Sequence, residues 1–159
     1  MAIIRVETNI AADPAVCFDL ARSVDAHIHS ADGTSERAVG GVTTGLLQLG
    51  DEVTWRARHL GITQELTSRI TAFDRPRHFR DEMVRGVFRR VVHDHYFEVV
   101  PKGTRMVDVF DYSAPFGPLG TLVERFYLTW YMSRFLERRG QALRALAESD
   151  GWRRFTDAD

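Results

Sequence analysis

Between positions 51 and 113, apolar and polar residues of this chain alternate with a period of two. Because successive side chains of a strand point to opposite faces of a sheet, this alternation predicts strands with one buried face. Turn-forming sequences interrupt it at Gly61, at "DRPR" (74–77), at Gly86 and at "PKG" (101–103). Connections this short join antiparallel neighbours, so the stretch predicts an antiparallel meander with one face in solvent.

The segments on either side of this meander predict one more strand and three helices. Residues 2–9 have strand character, and Asp13 followed by Pro14 is typical of a helix start. A second short helix is predicted in "VDAHIHSA" (24–31). Apolar residues then recur at helical spacing over 118–148, which predicts a helix of roughly 28 residues and about 42 Å. A helix of this length can lie across a whole curved sheet.

Together these elements predict an α+β fold in a single domain over residues 1–159, an ordinary length for one domain. The expected architecture is a curved antiparallel β-sheet gripping a long C-terminal α-helix, with two short helices after the first strand. A bent sheet that grips one helix leaves a concave space between them. We expect a small apolar ligand to bind in that space.

Charge and composition disfavour several classes of partner. The formal net charge is −1 and the isoelectric point is near 6.6, so the electrostatics favour neither nucleic acid nor an anionic membrane. The single cysteine, Cys17, allows no internal disulfide, and a buried structural role is expected. No window approaches the about 18 apolar residues of a membrane span, and "MAIIRVETNI" lacks the apolar core of a signal peptide. We therefore expect a cytoplasmic protein without stable membrane insertion.

Four segments carry a resemblance to a known superfamily: "GDEVTWRARHLGITQELTSRI", "FRDEMVRGVFRRVVHDHYFE", "GTRMVDVFDYSAPFGPLG" and "FLERRGQAL". With them, nearly the whole chain resembles the SRPBCC, or START-like, superfamily and its helix-grip fold. More narrowly, it resembles the polyketide cyclase/dehydrase-like or ligand-binding SRPBCC branch. The resemblance implies a hydrophobic cavity. It implies no particular activity, because the superfamily includes lipid carriers, hormone receptors and cyclases.

The stretch "RVVHDHYFEVV" places His93 and His95 on one face of a strand. Residues paired across the turn that follows have position numbers with a constant sum. A tight turn centred on residues 102–103 gives a sum of 205 and pairs His95 with Phe110. A loop two residues longer gives 203 and pairs His95 with Asp108. In either register Asp108 lies opposite or diagonal to His95, within reach of a cross-strand contact.

We therefore expect an inward polar cluster of His93, His95 and Asp108, with Asp81 and His59 as further candidates from other strands. A buried carboxylate needs a partner, which a neighbouring histidine supplies. Three interpretations stay open. The polar groups of the cluster hydrogen-bond only to one another and fix the register of the strands, they orient a polar group of a ligand, or they perform acid–base catalysis. In the catalytic interpretation His93 or His95 moves a proton and Asp108 orients it.

A metal site is the least favoured interpretation of the two histidines. The stretch "GVFRRVVHDHYFE" resembles the first cupin motif, with His93, His95 and Glu98 as ligands. However, no histidine follows His95, and Glu98 points to the opposite face of the strand. Other sites that use His59 with the two histidines stay geometrically open. We expect no metal and no cofactor.

The inward faces of the predicted strands and helix supply the candidate ligand-binding residues. They are Trp55, His59, Phe79, Asp81, Met83, His93, His95, Phe97, Asp108, Phe110, Tyr112, Phe126 and Trp130. The leading hypothesis is a protein that binds a small hydrophobic or aromatic molecule. The alternative is a cyclase-, dehydratase- or isomerase-type enzyme in the same cavity, and a protein-interaction module is a weaker third class. His27 and His29 are expected to be ordinary helix or loop residues near the pocket mouth.

Overall fold

The structure, a computed structural model, describes residues 1–30, 35–59, 61–114 and 127–156. Its elements are β1 (Ala2–Ile10), α1 (Pro14–Ala21), α2 (Val24–Ser30), β2 (Arg37–Gly41), β3 (Glu52–His59), β4 (Ile62–Asp74), β5 (His78–Arg85), β6 (Arg90–Val100), β7 (Gly103–Ser113), α3 (Thr129–Ala147) and a 3₁₀ helix (Asp150–Arg154). The seven strands form one antiparallel sheet in the order β1-β7-β6-β5-β4-β3-β2. This confirms the predicted α+β helix-grip architecture.

The first helix begins where its sequence predicts. Oδ1 of Asp13 accepts a hydrogen bond from the backbone N–H of Ala15 at 2.8 Å, and Pro14 occupies the first turn, where its missing N–H costs nothing. α1 buries Phe18 against the sheet, where the rings of Phe79 and Phe97 meet it edge to face with centroids 5.3 and 5.4 Å away. This aromatic cluster forms the core beneath α1.

The hairpin between β6 and β7 fixes the position of the two histidines. Its paired residues have a constant sum of 203, so His95 lies opposite Asp108 and His93 opposite Phe110. The turn itself consists of residues 101–102. The register with a sum of 203 is therefore confirmed, although a tight turn produces it and not the longer loop expected for it. The register that pairs His95 with Phe110 is wrong.

The C-terminal helix α3 packs closely against β1 on one of its sides. A Cβ atom at Gly140 would lie 2.5 Å from Oγ1 of Thr8, so the helix can approach the strand only because this residue is glycine. Leu136 and Leu143 are buried on either side of it. α3 has 19 residues, and residues 115–126, which supply the first part of the predicted helix, lie outside the described residues. No helix in the described part of the chain is both long and apolar enough to cross a membrane.

Candidate ligand-binding cavity

A cavity of about 760 Å³ lies between the inner face of the sheet and α3. Strands β3 to β7 supply most of one wall and α3 supplies the other. The apolar and aromatic residues that line it are Trp55, Ala57, Ile62, Leu66, Val87, Phe88, Val91, Phe110, Ala114, Tyr127, Leu128, Tyr131, Met132 and Phe135. The concave space that the sequence predicts between sheet and helix is therefore present, and its wall is mostly apolar.

The structure brings seven of the predicted site residues to the cavity or directly behind its wall. On the wall itself are Trp55, His59, Asp81, His93 and Phe110. His95 and Asp108 lie behind His93, beside a separate void of about 10 Å³, which is the size of one water molecule. The polar cluster expected from strand parity thus forms part of the cavity wall and its supporting layer.

Four other predicted residues lie away from the cavity wall. Phe79 and Phe97 belong to the core beneath α1, and Tyr112 is fully buried in a second part of the core. Met83 packs against that second part, next to Gly86. All four point to the predicted inner face of the sheet. They do not line the cavity, because neighbouring core side chains cover those parts of the inner face. Strand alternation predicts which face a side chain points to, but not what covers it.

Trp130, a predicted site residue, lies on the outside of the molecule. Its side chain is 59 % exposed and it does not line the cavity. The lining residues at the start of α3 follow helical spacing from Leu128, just before the helix, through Tyr131 and Phe135 to Arg139, so Trp130 falls on the solvent side of that row. The expectation that Trp130 faces inward is therefore corrected, and Phe126 lies outside the described residues.

The predicted histidine–carboxylate cluster forms around the buried side chain of Asp108. Its Oδ1 lies 2.7 Å from Nδ1 of His95 and 3.2 Å from Nε2 of His93. On the other side, Nε2 of His95 lies 3.1 Å from Oδ2 of Asp81, and Nδ1 of His93 lies 3.9 Å from the same oxygen. His95 is thus held between two carboxylates, and His93 stands beside it on the cavity wall.

The charges of this cluster follow from these contacts. Burial alone would lower the pKa of His95, but its hydrogen bonds to Asp108 and Asp81 raise it to about 8. Burial and the neighbouring His95 lower the pKa of His93. Burial opposes ionisation of both carboxyl groups, yet the two histidines hold the pKa of Asp108 well below its usual range, and His95 chiefly lowers that of Asp81. At neutral pH an imidazolium at His95 therefore sits between two carboxylates.

One arrangement in this cluster has the donor set of a metal site. Within the described residues, Asp81, His93 and His95 bring three potential ligating atoms within 4.8 Å of one another, a set that suits zinc and other transition metals. His59 does not belong to this set, and its Nδ1 lies 2.9 Å from the hydroxyl of Tyr131. A metal ion would have to displace the proton that His95 shares with its carboxylates. The expectation that no metal binds stays a prediction.

A second polar cluster on the wall was missed by the sequence analysis. The ring of His27 stacks on Trp55 with centroids 3.9 Å apart, and its Nδ1 accepts a hydrogen bond from Arg139. Nε2 of His27 lies 3.1 Å from Oε1 of Glu36. Burial lowers the pKa of His27, whereas His27 and Arg139 overcome the opposing effect of burial on Glu36 and lower its pKa to about 2. The cluster therefore holds neutral His27, ionised Glu36 and cationic Arg139.

One sequence signal could have identified part of this second cluster. Arg139 lies four residues after Phe135, which itself lies four residues after Tyr131, and positions separated by four share one face of a helix. All three line the cavity. An arginine that continues an aromatic row is thus a candidate for the cavity wall. His27 and Glu36 carry no comparable signal, because a short helix and the segment after it bring them to the site.

A family model and the solved structures identify the group of proteins to which this cavity belongs. The sequence model of the family described as "Polyketide cyclase / dehydrase and lipid transport" matches residues 1–148. The chain belongs to this family. The resemblance to the SRPBCC superfamily stated from the sequence is thereby confirmed. Among proteins with curated descriptions, none matches the chain significantly by sequence.

Solved structures show how closely this family member follows a shared fold. TTHA0849 from Thermus thermophilus is 21% identical, with a TM-score of 0.77 and coverage of 94% of this chain and 100% of that one. CV1439 from Chromobacterium violaceum is 15% identical, with a TM-score of 0.68 over 93% and 98% of the two chains. Major latex-like protein 151 from Panax ginseng is 15% identical, with a TM-score of 0.66 over 93% and 98%. At these identities the similarity establishes the fold alone.

Proposed function

We propose that this member of the polyketide cyclase/dehydrase and lipid transport family binds a small hydrophobic or aromatic molecule between its sheet and α3. The observation that carries the proposal is the cavity of about 760 Å³ with a mostly apolar wall. Ligand sites of soluble proteins typically occupy about 300–1,000 Å³ and combine apolar walls with a few polar groups. A cavity within this range and of this composition is matched to a small apolar molecule.

The wall also explains why such a molecule would leave water. Burying apolar surface contributes about 25 cal/mol per Å², so a ligand that buries about 200 Å² gains about 5 kcal/mol before the costs of binding. Aromatic side chains such as Trp55, Phe110 and Phe135 add favourable ring contacts for an aromatic ligand. The few polar groups on the wall then serve to orient the ligand.

Filling the cavity tests this proposal. Ala57 is buried on β3 and lines the cavity, so Ala57→Trp places an indole in the space that a ligand would occupy. Titration with the neutral fluorophore N-phenyl-1-naphthylamine is expected to show one saturable site in the wild type and at least tenfold weaker binding in Ala57→Trp. Val99→Trp is the control, because Val99 is 80% exposed on β6. Equal binding by Ala57→Trp and the wild type would contradict the proposal.

An enzyme of cyclase, dehydratase or isomerase type is the second candidate, and one observation favours it. His93 and Asp81 stand on the cavity wall, and behind them His95 holds a proton between two carboxylates with a pKa of about 8. A histidine–carboxylate group that titrates near neutral pH suits proton transfer to or from a bound substrate. In this candidate function His93 exchanges the proton, and Asp108 and His95 position it.

The two candidate functions differ in what His93→Gln would change. The catalytic candidate predicts that this variant loses proton exchange with an enolisable aromatic or polyketide-like substrate while still binding the neutral fluorophore. Exchange can be followed by incorporation of solvent deuterium. If exchange by His93→Gln equalled that of the wild type, the residue would have no acid–base role.

For either function the proposed location is the cytoplasm. Disulfides are rare there, and the single cysteine, Cys17, is a buried free thiol.

A further inference from the structure

We infer that the ligand of this cavity carries a protonated amine, which binds the free carboxylate oxygen of Asp81, and that this oxygen selects against carboxylate ligands. The inference rests on the proposed binding function and adds the chemical class of the ligand's polar group. It comes from the side of the histidine–carboxylate cluster that is open to the cavity, where the side chain of Asp81 lies.

Asp81 is more accessible from the cavity than the rest of its cluster. It lies on the inner face of β5, opposite His93 of β6, and lines the cavity. Its side chain is 23% exposed, whereas those of His93, His95 and Asp108 are almost fully buried. Because Asp81 points to the inner face of the sheet, its exposed surface faces the cavity. A ligand in the cavity can therefore reach this carboxylate.

The two carboxylate oxygens of Asp81 have different surroundings. Oδ2 lies 3.1 Å from Nε2 of His95 and 3.9 Å from Nδ1 of His93, so it belongs to the cluster. Oδ1 has no hydrogen-bond partner among the described residues, and it is not one of the unpaired atoms that are buried. It is thus an accessible acceptor of an ionised side chain on the cavity wall.

This acceptor restricts the ligands that can fill the cavity. A ligand that fills it displaces water from Oδ1 of Asp81, and an ionised oxygen without a donor in an apolar space is costly. The ligand must therefore supply a donor at this point. A hydrocarbon, a ketone or a carboxylate has none, whereas a hydroxyl group and an ammonium group each have at least one.

The charges of the wall favour a cationic donor over a neutral one. The two polar clusters contain three carboxylates, Asp81, Asp108 and Glu36, and two cations, His95 and Arg139, while their other histidines are neutral. Three negative and two positive charges give a sum of −1. An ammonium group on the ligand brings this sum to zero, whereas a ligand carboxylate adds a second negative charge in a poorly solvated space.

The surroundings of Asp81 leave this position to the ligand. Arg139 donates to Nδ1 of His27 and forms no ion pair with Asp81 in the described part of the chain, so its charge acts on Asp81 only at longer range. Phe110 lines the same cavity, with its ring centroid 5.1 Å from that of His93. An aromatic ring close to an ammonium group adds a cation–π attraction.

Three compounds with one aromatic skeleton test the inference at pH 7. They are 2-(aminomethyl)naphthalene as the cation, 2-(hydroxymethyl)naphthalene as the neutral donor and 2-naphthoate as the anion. Each is titrated against the wild type by displacement of N-phenyl-1-naphthylamine. We expect the amine to bind at least about tenfold more tightly than either of the others, because it contributes an ion pair as well as a donor. A smaller preference over either compound would overturn the inference.

Variants of Asp81 locate the effect. Asp81→Asn keeps the size of the side chain but removes its charge, so the preference for the amine over 2-naphthoate should fall at least about tenfold. Asp81→Glu keeps the carboxylate and is expected to keep the preference. Glu82→Gln is the matched control, because Glu82 is the next residue of β5, points to the opposite face and accepts a hydrogen bond from Thr71.

Circular dichroism and binding of the neutral fluorophore establish that each variant is folded and keeps its cavity. An unchanged preference in Asp81→Asn, or an equal loss of preference in Asp81→Glu, would refute the inference. If Asp81→Asn does not fold, the three compounds titrated against the wild type still decide.

The design separates this inference from the proposed function. If the neutral fluorophore fails to bind the wild type and no naphthalene compound binds, both are wrong. If the fluorophore binds in the cavity but the amine has no advantage, the cavity keeps its function and the amine assignment alone fails.

Discussion

Replacing Asp108 by asparagine tests the electrostatics of the histidine cluster. Asp108 is buried, and its Oδ1 lies 2.7 Å from Nδ1 of His95. Asp108→Asn keeps the size of the side chain and an oxygen acceptor but removes the charge that holds the proton on His95. The structure therefore predicts a loss of stability that depends on whether His95 is protonated.

The expected magnitude follows from the pKa of His95. Its value rises from 6.5 to about 8 on folding, so the folded state binds this proton more tightly and gains about 2 kcal/mol. This contribution is fully present below about pH 6.5 and is lost as the pH rises through about 8. Without the charge of Asp108, only Asp81 opposes the effect of burial, and the pKa of His95 falls. Asp108→Asn should therefore cost up to about 2 kcal/mol more at pH 6 than at pH 9.

Urea unfolding followed by tryptophan fluorescence at pH 6 and pH 9 measures this difference. Asp111→Asn on the same strand is the matched control. Asp111 pairs with Arg90, which keeps its charge over this whole range, so the cost of the control substitution should be the same at both values of pH. An NMR titration of the wild type should show a histidine with a pKa of about 8. If Asp108→Asn costs the same free energy at pH 6 and pH 9, the assignment of an imidazolium at His95 is refuted.

Two further predictions concern packing. Gly140→Ala should lower the free energy of unfolding by about 1–3 kcal/mol despite the better helix propensity of alanine, because the new Cβ would lie 2.5 Å from Oγ1 of Thr8. The double variant with Thr8→Ala should recover part of that loss, and no recovery would show that this contact is not the cause. Cys17 is buried and its pKa is raised by burial to about 11, so it should react with a thiol reagent only at the rate of unfolding; fast reaction of the native protein would contradict its placement.

Local rules predicted the sheet and the first polar cluster well. Strand alternation identifies inner faces, and in a hairpin whose loop has an even number of residues His95 and Asp108 share one face, as they do in the structure. The pairing of Asp81 with the same histidines follows from the next strand of the meander. These relations depend only on residues close in sequence or joined by short turns, which is why the sequence contains them.

The rest of the site depends on tertiary packing that no local pattern specifies. Phe79 and Phe97 share the inner face with His93, but α1 covers them and turns them into core. The second polar cluster joins His27 on α2, Glu36 just before β2 and Arg139 on α3, more than 100 residues apart at its extremes. In the sequence, polar residues at such positions cannot be distinguished from solvent-exposed ones, because only the tertiary structure brings them together.

A crystal structure of the protein grown with saturating 4-bromophenol would show whether a small aromatic molecule binds between the sheet and α3. Bromine can be located by its anomalous scattering, independently of how the rest of the ligand is interpreted. We expect one strong bromine peak inside the cavity between the sheet and α3, within contact distance of side chains such as Phe110. Bromine peaks confined to the protein surface, or a space between sheet and helix filled by the protein's own side chains, would contradict it.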